Sequence, residues 1–115
     1  MALSEIEHAN STMEDCIDNC FEAAQAAEWC ADACLDEGEE MARCVRLCRD
    51  VADLATLHAR LMARNSGYHA DLAGICADAC EACADECEQF DHTHCQVCAA
   101  VVRRCAASCR EMASG

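Results

Sequence analysis

Fourteen cysteines stand in this 115-residue chain, and their spacing is the chemistry. Cys16/Cys20, Cys30/Cys34 and Cys44/Cys48 are CxxxC pairs that recur every fourteen residues. Cys76/Cys80, Cys83/Cys87 and Cys105/Cys109 repeat the spacing, and Cys95/Cys98 adds a CxxC. Residues three and four apart share one face of a helix, so these thiols are spaced to form rows along helix seams. A row of inward-facing thiols is a soft-metal site. A buried free cysteine can also serve as a small hydrophobe, but that reading suits single cysteines on apolar faces and not a whole set confined to the seams.

Disulfides are the competing use of so many cysteines in a short chain. Within a helix, Cβ atoms at i and i+4 lie roughly 5–6 Å apart, whereas a disulfide wants about 3.5–4.5 Å. The segment MALSEIEHANS has neither a basic stretch nor an apolar core and does not read as a signal peptide. A reduced, cytoplasmic protein is the expectation. The CX9C spacings, such as Cys20 to Cys30, follow from the fourteen-residue repeat and carry no separate signal.

Composition sets the frame. The chain has no proline, four glycines and much alanine and glutamate, which favours helices. Phe21, Trp29, Tyr68 and Phe90 are its only aromatics, so cysteine, alanine, leucine and methionine must fill the core. A net charge of −14 excludes nucleic acid and anionic membrane surfaces as partners and describes a solvated acidic surface. No stretch is apolar enough to span a membrane.

The elements that must position the thiols are four helices in a single domain, residues 1–115. Ser4 with Glu7, or Ser11 with Glu14, offers a capping-box start to the first, which runs to about Asp36 and stops near Gly38. The second spans about Glu39 to Asn65, with Asn65-Ser66-Gly67 as the break. The third runs from about Tyr68 to Phe90. Thr93 with Gln96 caps the fourth, which continues to about Ala113. Each helix carries one seam with steps of three and four, and every cysteine falls on a seam. Short connections make neighbours antiparallel, so the fold class is all-α, an up-down-up-down four-helix bundle with a cysteine-lined core.

Antiparallel packing then sorts the thiols. Cys30, Cys34, Cys44, Cys48, Cys83, Cys87, Cys95 and Cys98 are expected at one end, and Cys16, Cys20, Cys76, Cys80, Cys105 and Cys109 at the other. An apolar belt of Ala23, Ala27, Val51, Ala55 and Val102 separates two metal-binding zones. Met13, His58, Met62 and Met112 gather at the end opposite His94, where core packing and a second route for metal are both open. His8 and His69 give no clear signal. Leu47, Leu54 and Leu61, with Leu57 nearby, seal the groove to a neighbouring helix or form a subunit interface.

Thiolates select Cu(I), zinc or iron–sulfur clusters. One Cu(I) per thiolate is a neutral unit in which the metal replaces a thiol proton, while zinc on four thiolates leaves two negative charges in the core. Iron–sulfur ligation uses CxxC runs in loops that wrap the cluster, and here that spacing lies inside helical patterns. Multiple Cu(I) ions per chain are the expected cargo, with zinc storage and an iron–sulfur redox protein as alternatives. No nucleophile–base constellation stands out, so an enzyme is not expected.

The runs ICADACEACADECEQFDHTHCQVCAAVVRRCAASCREMA and CVRLCRDVADLATLHARLMARNS resemble the cysteine-rich four-helix-bundle copper-storage proteins of the bacterial cytosol. The resemblance covers nearly the whole chain. It implies many Cu(I) ions on core thiolates, a homo-oligomer (a tetramer), and a mouth at one bundle end where histidines assist metal uptake. His92 and His94, in DHTHC, match that mouth, and their other reading is an ordinary loop pair. His58 and Met62 are further candidates for admitting metal, and His58 is the sharper because it lies on the seam where metal would be. Members of the family often carry cysteine where this chain has Ala23, Ala27, Val51, Ala55 and Val102.

Overall fold

The computed structural model describes residues 6–114. Four helices follow one another: α1, Ser11–Cys34; α2, Ala42–Ala63; α3, His69–Cys87; and α4, Thr93–Ser114, with a 3₁₀ turn at Glu39–Met41 leading into α2. Each packs against two neighbours, α1 on α2 and α4, α3 on α2 and α4, which closes an up-down-up-down bundle 46 Å long. The fold class read from the seams is the one observed.

The helix ends differ from the expectation in instructive ways. Asn10 caps α1. Its backbone is extended, its side-chain oxygen accepts from the Met13 N–H at 2.9 Å, and its carbonyl accepts from Glu14. Asparagine caps as well as serine, so the Ser11–Glu14 box is not used, and the Ser4 start lies outside the described residues. The first helix stops at Cys34 rather than near Asp36. Gly38, at φ +107°, makes the turn that a side chain would strain. At the far end of α2 the break falls at Asn65-Ser66-Gly67 as expected, with Asn65 left-handed at φ +53°. The Ser66 N–H reaches back to the Leu61 carbonyl at 2.9 Å, as in a Schellman closure. The third helix ends at Cys87, three residues short of Phe90. Thr93 begins α4 instead of preceding it, and Gln96 Nε2 donates to the Phe90 carbonyl at 2.6 Å.

The core is small residues packed by cysteine. All fourteen cysteines are buried, none more than 1 % exposed. Ala23, Ala27, Val51, Ala55 and Val102 are fully buried. Leu47, Leu54 and Leu61 lie against the core while Leu57 is exposed, so three of the four leucines seal a groove. The register of α3 against α4 is held outside by two matching clasps. Arg103 reaches Asp85 and Glu88, and Arg110, one heptad on, reaches Asp78 and Glu81. Arg104 pairs with Glu22 across to α1. These exposed pairs fix alignment more than stability.

Candidate metal centre

The sulfurs converge as two groups. At one end the Sγ atoms of Cys30, Cys34 and Cys95 form a near-equilateral triangle with sides of 3.8, 3.9 and 3.9 Å. Cys44 lies 3.8 Å from Cys34 and 3.4 Å from Cys87, and Cys48 lies 3.6 Å from Cys83. At the other end Cys20, Cys105 and Cys109 stand 3.7 to 4.0 Å apart. None of the fourteen is in a disulfide. A metal–thiolate bond of about 2.3 Å lets one ion bridge sulfurs up to about 4.6 Å apart, so every one of these separations is within reach of a shared ion.

Five buried or nearly buried groupings place their ligand atoms within 4.8 Å of one another. Two are all-sulfur at the first end: Cys30, Cys44, Cys48, Cys87 and Cys48, Cys83, Cys87, Cys98. One is all-sulfur at the second: Cys20, Cys76, Cys105, Cys109. The remaining two each pair three cysteines with a histidine: Cys30, Cys34, Cys95 with His94, and Cys16, Cys20, Cys109 with His58. No grouping among the described residues mixes the two expected zones, and shared members link the groupings within each zone. Cys80 belongs to none of them, but its buried thiol interacts with Cys76 and Cys105 of the second zone.

The histidines divide sharply. His94 is 9 % exposed on the first turn of α4, with Nε2 3.5 Å from Cys34 Sγ and 2.8 Å from Glu37 Oε1. His92 stacks on it at 5.3 Å between ring centroids and meets Glu37 Oε2 at 3.2 Å. Trp29 packs edge-on to His94 at 6.1 Å. The pair is therefore built into the bundle end rather than loose in a loop. Cys34 also lines a surface cavity of about 350 Å³ with Gly38 and Met41. His58 is fully buried, its Nδ1 3.4 Å from Cys20 Sγ and 3.5 Å from Cys109 Sγ, while its Nε2 has no hydrogen-bond partner. Met62 is fully buried too.

Glu37 and Trp29 carry no periodic signal in the sequence. Neither belongs to a cysteine seam, and only the turn through Gly38 brings Glu37 over the histidines. A carboxylate three residues past the last cysteine of a helix was the one available hint.

The thiols share protons. Hydrogen bonds from Cys109, then Cys20, hold Cys16 down to about 4 against the opposing effect of burial. Cys44 and Cys48 do the same for Cys30, held down to about 3. Burial, reinforced by charge on Cys30, pushes Cys34 and Cys95 up. Neighbouring thiols in a zone are thus pushed in opposite directions, and a monovalent soft cation can replace a thiol proton one for one without adding buried charge.

Among the described residues no helix is long and apolar enough to cross a membrane. The family profile described as Csp, copper storage protein, matches residues 9–114. YhjQ, a cysteine-rich protein of Bacillus subtilis (strain 168), is 39 % identical over 103 residues, covering 88 % of this chain and 95 % of its own. The apo form of Csp3, copper storage protein 3 from Bacillus subtilis, superposes with a TM-score of 0.82 at 39 % identity, over 87 % of this chain and 97 % of that one. A cytosolic copper storage protein from Streptomyces lividans, solved with five coppers, gives 0.86 at 38 % identity, over 90 % and 93 %. A thiol-lined bundle of this length, matched along nearly all of it, has one family to answer to: the chain belongs to the copper storage proteins.

Proposed function

We propose that this protein stores Cu(I), many ions per chain, on the thiolates of Cys16, Cys20, Cys30, Cys34, Cys44, Cys48, Cys76, Cys80, Cys83, Cys87, Cys95, Cys98, Cys105 and Cys109. The observation that carries the reading is that all fourteen are buried and free, with linked sulfurs 3.4 to 4.0 Å apart in two zones. Soft ligands in a dry core select a soft cation. Neutral Cu–S units suit that core where tetrathiolate zinc would leave uncompensated charge. His94 and His92, with Glu37 behind them, admit metal at the first zone, where Cys34 is the outermost thiol. His58 and Met62 stand at the other end. The whole of residues 1–115 serves as one storage domain. It works in the cytoplasm, as the Streptomyces relative is described to do. It assembles as a homotetramer, a reading supported by exposed Phe21, Trp29, Leu35, Ile75 and Val97 on the bundle's flanks.

Copper titration of the reduced protein tests the central claim. Uptake should continue to about fourteen Cu(I), one for each cysteine. Saturation at three or four ions, with zinc competing on equal terms, would reverse it. Charge makes two places the least unfavourable for zinc: a three-cysteine, one-histidine grouping leaves one negative charge where an all-sulfur grouping leaves two. Zinc should therefore bind at no more than those two positions and yield to Cu(I). Light scattering of the purified protein measures the tetramer directly, and a monomer at micromolar concentration would remove it.

A further inference from the structure

The bundle end away from His94 carries ligands that the fourteen thiols do not account for. Its outermost grouping is Cys16, Cys20, His58 and Cys109. Three of these residues have a methionine one helical turn farther out on the same seam. Met13 precedes Cys16 by three residues on α1, Met62 follows His58 by four on α2, and Met112 follows Cys109 by three on α4. Because α1 runs antiparallel to α2 and α4, all three steps point the same way along the bundle. A rise of 1.5 Å per residue puts the methionines about 4.5–6 Å outward of the grouping. Met13 and Met62 are buried and Met112 is half-buried.

Beyond them lies a cavity of about 410 Å³ lined by Met13 and Met112 together with His8, His69 and Glu111. Nδ1 of His69 is shielded from solvent and has no hydrogen-bond partner. His8 Nε2 donates to the Met62 carbonyl at 2.9 Å, which ties the segment before α1 to the end of α2. Below the methionines, the His58 ring is fully buried with Nε2 unpartnered and Nδ1 set against two sulfurs. From outside to inside the donors therefore run from imidazole and carboxylate, through thioether, to thiol with imidazole.

We propose that this end is a second copper port, in which Met13, Met62 and Met112 form a thioether relay passing Cu(I) between the cavity and the Cys16–Cys20–His58–Cys109 site. The proposal rests on the storage reading. Thioethers are soft and neutral, so they hold Cu(I) in preference to harder divalent ions and release no proton when they do. The copper remains monovalent throughout. At the inner site each new Cu–S bond replaces an S–H bond and the proton leaves to water. Thiolate outcompetes thioether, which draws metal inward, and an excess of external Cu(I) ligand reverses the flow. The apolar belt gives this port its own clients, the six thiols of the second zone.

The test uses the full chain, loaded with Cu(I) and then challenged with excess bathocuproine disulfonate, a chromophoric Cu(I) chelator. The variant is Met13→Leu/Met62→Leu/Met112→Leu, in which leucine keeps volume and apolarity. Copper per chain should stay within one ion of the unaltered protein. The share of copper belonging to the six second-zone thiols should leave about tenfold more slowly, the scale on which ligand-supporting residues act, and the remainder at the unaltered rate. Met41→Leu, buried at the other end, should leave that second-zone phase unchanged. If the triple variant releases all its copper at the unaltered rate, or slows all of it equally, the port does not exist. Slowing of the second-zone phase by Met41→Leu would exclude the port as well. Should the triple variant misfold, Met112→Leu alone, at the half-buried position, must slow the same phase for the proposal to stand. Low copper capacity in the unaltered protein would instead count against storage, so the two failures are distinguishable.

Discussion

His58 is the residue whose presence the apo protein explains least well. A fully buried imidazole with one unpartnered nitrogen costs about 1–3 kcal/mol in lost hydration. An apolar side chain at this position would avoid that cost. The ring is set so that Nδ1 meets Cys20 and Cys109, which is the arrangement a metal ligand needs. Replacing it with leucine should therefore separate stability from binding. His58→Leu is expected to leave the melting temperature of the copper-free protein unchanged or raised by a few degrees, on the scale of about 4–8 °C per kcal/mol. It should also lower copper capacity by one ion. Differential scanning calorimetry and a Cu(I) titration on the same preparation decide it. A destabilised apo protein with full capacity would make His58 an ordinary core residue.

At the scale of helices, the apolar belt is the feature that divides the store. Ala23 and Ala27 on α1, Val51 and Ala55 on α2 and Val102 on α4 are fully buried and lie on the same seams as the thiols, between the two zones. Introducing cysteine at all five should raise Cu(I) capacity by up to about five ions, since each new thiol faces the same dry core as its neighbours. Unchanged stoichiometry in a variant that retains its helical circular dichroism would show that seam position alone does not make a ligand. The belt also shows what could be read from the chain before its structure. Seams with a period between three and four fixed which residues face inward, and short connections fixed antiparallel order, so both zones and the belt followed from spacing. Helix ends followed less well, because several capping residues compete within a few positions. Asn10 displaced Ser11, and α3 ended three residues short of Phe90. Glu37 left only a faint trace in the sequence, because its place over His92 and His94 depends on a non-helical turn and not on periodicity. Removing it is informative. Glu37→Gln should leave capacity unchanged and slow the first copper uptake severalfold, as stopped-flow mixing with a Cu(I) complex would register.

For the molecule as a whole, the protons on the thiols couple stability to both pH and metal. Cys34 and Cys95 are pushed by burial above the ordinary thiol value of 9.0, so above that pH the unfolded chain loses these protons before the folded one does. Stability contributed by these two thiols is fully present below pH 9 and is lost as the pH rises toward their folded values. Each takes away up to about 1.4 kcal/mol per pH unit across that window. Cys16 and Cys30 act in the opposite sense at lower pH. Held down to about 4 and about 3, they add stability that is present above pH 9 and lost as the pH falls below it toward those values. The copper-free protein should then be most stable near pH 9 and weaken on either side. Copper loading removes the thiol protons altogether, and metal bound to the folded state adds its own stabilisation. The loaded protein should hold a nearly constant melting temperature from pH 8 to 11, over which the apo protein loses ten degrees or more, at about 4–8 °C per kcal/mol. Parallel thermal denaturation of the two forms under strict reduction measures this. A shared alkaline decline would mean that the buried sulfurs keep their protons in the presence of copper, and that the metal is held somewhere other than the core.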